Sequence, residues 1–164
     1  MNDPTPVPPA VGCAATPATG EPGEVLGDGA YPHHVAISVA DAASAAAWYQ
    51  RVFDARVLQS YLLARVYARV VQLDVGPFEI ELIEKQGSPP HPESAVNAIR
   101  MTQGFVHLAF HVQNCAAVRD RMLERGATLV RDVVYWPESK VWNCNFADCE
   151  GNIIEIIQRA LPTC

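Results

Sequence analysis

Several features that would narrow the function at once are missing from this sequence. No apolar run approaches the roughly 18–20 residues that span a bilayer, so a membrane span is not expected. The first residues have neither a basic n-region nor an apolar h-region, so no secretory leader is expected and the cytoplasm is the default compartment. There is no CxxC pair. The five cysteines (Cys13, Cys115, Cys144, Cys149 and Cys164) are odd in number, which suits free thiols in a reducing cell better than a disulfide framework. Cys115 and Cys144 read as buried small hydrophobes. A basic stripe is also lacking, and the net charge is −6, so no nucleic-acid partner is expected. An anionic small molecule stays possible, because one local arginine can receive it.

What is present is the composition of an ordinary globular domain: 164 residues, 49% hydrophobic and 18% charged. Residues 1–29 stand apart as a tail. They hold six of the thirteen prolines and five of the ten glycines and show neither helical nor strand period. Such a segment buries too little apolar surface to offset its ordering entropy, so it is expected to be disordered or draped on the surface. Residues 30–164 then form a single domain.

From Tyr31 the pattern becomes regular. In "HHVAISV", Val35, Ile37 and Val39 alternate with His34, Ala36 and Ser38, which is strand periodicity. Asp41 stands at an N-cap position before "AASAAAWYQRVF", where Ala45, Trp48, Tyr49 and Val52 recur at helical spacing. Three strand-like runs follow: "RVLQSYLL", "ARVVQLDV" and "FEIELIE". After a linker the pattern restarts. "VHLAFHV" alternates as the first strand does, Asn114 takes the cap position, and "CAAVRDRMLERG" is a helix closed by Gly126. "TLVRDVV", "VWNCNF" and "NIIEIIQ" complete the second half.

The chain is therefore an internal repeat. At an offset of 73, His34 falls on His107, Ala36 on Ala109, Val39 on Val112 and Asp41 on Asn114. At an offset of 74, Asp74 falls on Asp148 and Glu81 on Glu155. The expected fold is α+β: two tandem βαβββ modules (module one 31–84, linker 85–103, module two 104–159) forming a curved, trough-like mixed sheet with the helices outside.

Four residues occupy matching places in that repeat. His34 and Glu81 are 47 residues apart, and His107 and Glu155 are 48 apart. Alternation puts all four on the face opposite the apolar stripe. Glu155, flanked by "II" on both sides, reads as a buried acid, and a buried carboxylate is costly unless paired or bound to a metal. Two imidazoles and two carboxylates converging on one trough make a divalent-cation site of N₂O₂ type. His111 cannot join His107 on one ion, because four strand residues span about 13 Å. It is assigned to the trough wall, as a substrate contact or as plain lining. His33 reads as structural and His91 as a solvated loop residue. Tyr135, Trp136 and Trp142 suggest an aromatic lid over an apolar or ring-containing substrate, or a packing cluster.

With these residues in place, the sequence resembles the vicinal oxygen chelate superfamily, which includes glyoxalase I, extradiol dioxygenases and bleomycin-resistance proteins. "HHVAISVADAASAAAWYQRVF", "FEIELIE", "GFVHLAFHV" and "DCEGNIIEIIQ" carry the likeness over about residues 31–159. The last segment is similar to a family ending "DPDGNxIEL", with Cys149 and Glu150 in place of Pro and Asp. The resemblance implies paired βαβββ modules around a cavity and a divalent ion (Zn, Ni, Co, Mn or Fe) that holds substrate through two neighbouring oxygens.

The ligand pattern His34, Glu81, His107, Glu155 matches glyoxalase I-like metalloenzymes one for one. That implies isomerase or lyase chemistry through a metal-bound enediolate on a small carbonyl or vicinal-oxygen substrate, with Glu81 and Glu155 as proton-shuttling bases. Two alternatives follow from the same superfamily. One is an Fe(II)-dependent dioxygenase using His34, His107 and Glu155 on an aromatic or diol metabolite. The other is a sequestering or resistance protein that binds without turnover. Arg69, Arg100 and Lys140 are candidates for an anionic part of the substrate. A homodimer is expected, with the site closed within one chain or between two.

Overall fold

The computed structural model describes residues 32–89 and 105–160. The 1–29 tail, most of the 85–103 linker, His91 and Arg100 lie outside the described residues. The element order is β1 (His34–Val39), α1 (Ala42–Phe53), β2 (Arg56–Leu63), β3 (Ala68–Asp74) and β4 (Glu79–Lys85). It then repeats as β5 (His107–His111), α2 (Cys115–Glu124), β6 (Thr128–Trp136), β7 (Val141–Ala147) and β8 (Ile153–Arg159). Each half makes its own four-stranded sheet, in the orders β1-β4-β3-β2 and β5-β8-β7-β6. The first and last strands of each module pair in parallel, and the other pairs are antiparallel. The tandem βαβββ arrangement expected from the repeat is what the chain adopts.

Local chemistry sets both helices. Asp41 is extended and its Oδ1 accepts the Ala43 and Ser44 N–H groups at 2.9 Å, which satisfies two donors that α1 would otherwise leave bare. Asn114 does the same for α2 through the Ala117 N–H, also at 2.9 Å. Gly126, with φ +80, lets the chain turn back after α2 and donates its N–H to the Leu123 carbonyl.

Helix α1 buries Ala42, Ala45, Ala46, Trp48, Tyr49 and Val52 against Leu73, Ile80 and Leu82 of its sheet. Helix α2 buries Cys115 and Met122 beside Cys144, Phe146, Ile154 and Ile156. The expectation for Cys115 and Cys144 holds: both are buried, with the sulfurs 3.6 Å apart.

The two modules share this core. Phe110 of β5 packs against Phe53 at 5.3 Å and stacks on Phe78 at 5.5 Å. The buried Tyr49 hydroxyl of module one donates to Asp148 Oδ2 of module two at 2.8 Å. Burial, and then the Asp148 carboxylate, push the Tyr49 phenol far above its usual range, so it stays a donor. Arg125, just past α2, pairs with Asp54 at 2.6 Å. The apolar faces are thus committed to helices and to the junction, which leaves the opposite face of each sheet for other work.

Candidate metal centre

Register fixes which side chains share the helix-free face. In module one Ala36 pairs with Glu81, so His34, Ala36 and Ser38 lie on the same side as Glu79, Glu81 and Ile83. In module two Ala109 pairs with Glu155, so His107, Ala109 and His111 lie with Ile153, Glu155 and Ile157. Ile80, Leu82, Ile154 and Ile156 point the other way and are fully buried. The alternation read from the sequence therefore places the four candidate ligands correctly by face.

The two His–Glu pairs are nearly identical. His34 Nε2 stands 3.4 Å from Glu81 Oε2, and His107 Nε2 stands 3.3 Å from Glu155 Oε2. The carboxylates are only 16% and 12% exposed, against 37% and 38% for the imidazoles. Both acids are thus half-buried rather than fully buried, because their face is not capped by a helix. Two ligands of one ion, each about 2.0–2.2 Å from it, lie roughly 3 Å apart, so each pair has the spacing of a half-site. Among the described residues no group of three or more His, Cys, Asp or Glu side chains stands close enough to hold an ion. Within one chain the structure brings the four residues together as two pairs.

The other oxygen of each carboxylate is held by the sheet. Glu81 Oε1 accepts from Gln72 Nε2 at 3.1 Å and from the Tyr61 hydroxyl at 3.2 Å. Glu155 Oε1 accepts from Asn143 Nδ2. Asn143 is itself fixed, since its Oδ1 accepts from Trp136 Nε1 at 2.8 Å. Each acid therefore has one oxygen tethered by an amide and the other turned to its imidazole. Such outer contacts orient a carboxylate ligand and tune its basicity. In module one the His33 and His34 Nδ1 atoms are 2.8 Å apart, so one donates to the other. With the proton on His34 Nδ1, its Nε2 lone pair is left for a cation. Donor type, spacing and tethering all fit a divalent ion held by His34 with Glu81 and by His107 with Glu155.

The remaining candidates spread more widely. His111 lies on the Glu155 face, beside Ile157, and is exposed. Tyr135 and Trp142 pair directly, with ring centroids 4.9 Å apart. Trp142 shares its face with Cys144 and Phe146, so this pair is on the side opposite Glu155. The aromatic on the Glu155 side is Trp136, joined to it through Asn143. Arg69 sits across from Glu84, 4.0 Å away, on the face opposite Glu81, where Glu84 Oε2 caps the Ala42 N–H of α1.

Sequence reasoning missed the amides Gln72 and Asn143. The available signal was polarity at a buried strand position: Gln72 is 8% exposed between Val71 and Leu73, and Asn143 is 6% exposed beside Cys144. A groove of 1340 Å³ also runs between β1 and β5. His34 and His107 line it together with Leu62, Tyr67, Phe105 and Val106, whereas Glu81 and Glu155 do not reach it.

A family model described as Glyoxalase/Bleomycin resistance protein/Dioxygenase superfamily matches residues 33–140. The chain belongs to that superfamily. Among solved structures it is similar to a glyoxalase family protein from Enterococcus faecalis, with 21% identity, a TM-score of 0.67, and 77% of this chain and 96% of that chain covered. It is similar to a glyoxylase/bleomycin resistance protein/dioxygenase domain from Frankia sp. EAN1pec, with 19% identity, a TM-score of 0.65, and 82% and 94% covered. It is also similar to glyoxalase I from Zea mays, with 20% identity, a TM-score of 0.62, 78% of this chain covered and only 44% of that longer chain. At these identities the likeness speaks for the fold. No curated protein matches the chain. No helix among the described residues is long and apolar enough to cross a membrane.

Proposed function

We propose that this protein is a divalent-metal-dependent enzyme of the glyoxalase type, acting as an isomerase or lyase on a small carbonyl or vicinal-oxygen substrate. The observation that carries this reading is the duplicated half-site: two imidazole–carboxylate pairs at 3.4 and 3.3 Å, at matching strand positions, each with its second carboxylate oxygen tied to an amide. A surface ion pair needs no such tether and no such repetition. We further propose that a homodimer completes the site, His34 and Glu81 of one copy facing His107 and Glu155 of the other.

When bound, a divalent ion supplies Lewis acidity toward a carbonyl and so acidifies the neighbouring C–H. The chain supplies the rest. His34 and His107 would hold the ion through their ring nitrogens. Glu81 or Glu155, swung from its imidazole but still tethered through Oε1, takes the proton from the α carbon on its free Oε2. The C–H electron pair forms a carbon–carbon double bond as the carbonyl π pair moves onto its oxygen, the neighbouring hydroxyl proton passes to that oxygen and leaves a new carbonyl, and the same carboxylate, or the one on the other side, returns its proton to the former carbonyl carbon.

The test is hydrogen exchange on dihydroxyacetone in deuterated water, followed by proton NMR with manganese-loaded protein. Wild type is expected to exchange faster than buffer with metal, and Glu81→Gln or Glu155→Gln is expected to slow that exchange at least about tenfold, the low end of general-base effects. Exchange that is unchanged in both variants contradicts the shuttle.

A further inference from the structure

The two modules carry a matching cross-strand row at the same place, with two substitutions, one of which changes charge. In module one Gln59 pairs with Gln72, Gln72 with Glu81 and Glu81 with Ala36. In module two Arg131 pairs with Asn145, Asn145 with Glu155 and Glu155 with Ala109. Both rows follow a bulge on the outer strand, between Val57 and Gln59 and between Leu129 and Arg131. Arg131 is therefore the counterpart of Gln59 on the face that holds the candidate ligands.

The two rows differ in how their polar groups are satisfied. In module one the row closes on itself: Gln59 Nε2 donates to Gln72 Oε1, and Gln72 Nε2 donates to Glu81. Arginine has no acceptor and brings a full charge. In module two, Arg131 Nε and Asn145 Oδ1 are both buried without a hydrogen-bond partner. The guanidinium has only a long contact from Nη2 to Asn143 Oδ1, at 3.4 Å, and the face of Trp136 at 5.3 Å. Among the described residues no carboxylate oxygen comes within 4.0 Å of it, whereas Arg56, Arg69, Arg119 and Arg125 each have an acidic partner. A half-buried guanidinium under-supplied with acceptors, on the same sheet face as Glu155, is a receiver for a planar anion.

We propose that Arg131 receives a carboxylate of the substrate, so that the substrate class is a small acid carrying its vicinal oxygens a few atoms from a carboxylate group. This rests on the reading of His107 and Glu155 as half of an ion site. Arg131 stands two strands from Glu155, about 9–10 Å between backbones, and its long arm reaches back over Trp136 toward that site. Module one offers the neutral Gln59 in the corresponding place, which gives the ligand a preferred orientation: acid end to module two, neutral end to module one.

Two matched chelators test this by calorimetry on the manganese-loaded full chain: acetohydroxamate, and succinohydroxamate, which adds a carboxylate on a two-carbon spacer. Wild type is expected to bind succinohydroxamate about 10- to 100-fold more tightly, the worth of a charge-assisted hydrogen bond. Arg131→Gln, which installs the module-one residue type, should abolish that preference and keep the acetohydroxamate affinity. No preference in wild type, or a preference that survives Arg131→Gln, overturns the proposal. If Arg131→Gln loses both chelators, Arg131→Lys decides: retained preference supports the assignment and lost preference overturns it. If neither chelator binds wild type, the ion site itself fails. Arg131 is then judged on metal-free protein titrated with succinate, where saturable binding lost in Arg131→Gln supports it and no binding overturns it.

Discussion

Replacing Asn143 by leucine removes one amide and keeps the branched shape and heavy-atom count of a 6%-exposed strand position. Its Nδ2 is the donor to Glu155 Oε1, and its Oδ1 anchors Trp136. A hydrogen bond to a charged group contributes about 1.5–3 kcal/mol, so if all of it orients Glu155 for a cation, ion affinity falls about 10- to 150-fold. Outer contacts of known metal ligands carry a similar 10–100-fold. Module one supplies an internal control. Gln72→Leu removes the matching donor from Glu81 Oε1, but the Tyr61 hydroxyl still donates there at 3.2 Å. The loss in Gln72→Leu should therefore be the smaller, by about threefold or more if the remaining bond keeps half the effect. Manganese titration by calorimetry reads both variants, with thermal unfolding alongside to show that each still folds. Equal losses, or no loss in Asn143→Leu with folding intact, would refute the idea that these amides aim the carboxylates.

Two further predictions concern the scaffold. Tyr49→Phe deletes the buried donor to Asp148 that joins the modules, while Asn152 Nδ2 still reaches the same oxygen. It is expected to cost about 1.5–3 kcal/mol, lowering Tm by roughly 5–10 °C, and an unchanged Tm would mean the junction does not depend on this bond. Asp74 is held below the usual carboxylate range by the Gly76 N–H and then by Arg56. A depressed folded-state pKa stabilises above the unfolded value, near about 4, and that stability is lost as pH falls through the lower folded value. The Tm difference between wild type and Asp74→Asn should accordingly be present at neutral pH and close as acid is added below about pH 4.

Faces and pairs were readable from the sequence, because both follow from a period of two and a repeat. One slip of register would have turned His34 and Glu81 to the helices, and the apolar residues Ile80 and Leu82 forbid that slip. Which neutral groups hold the two acids was harder to read. Gln72 and Asn143 look inert in a strand; register sets Gln72 opposite Glu81 but Asn145 opposite Glu155, and only the side-chain contact shows Asn143 reaching that acid diagonally. Alternation along "VWNCNF" already separates Trp142, Cys144 and Phe146 from Asn143 and Asn145, so the face of Trp142 was available from the pattern. Trp136 and Arg131 depend on the bulges in β6, which shift register without a glycine to mark them. Whether two half-sites meet is a matter of assembly, and strand periodicity carries no term for that.

The most direct test mixes two crippled chains. One carries His34→Ala and Glu81→Ala, the other His107→Ala and Glu155→Ala, and each alone is expected to lose tight manganese binding. Co-expressed as a tagged heterodimer, they leave one pairing in which an intact module one faces an intact module two. One tightly held ion per heterodimer is expected to return on elemental analysis. A heterodimer as empty as its parents, or parents that keep the ion, would contradict a cation centre shared by the two halves across copies.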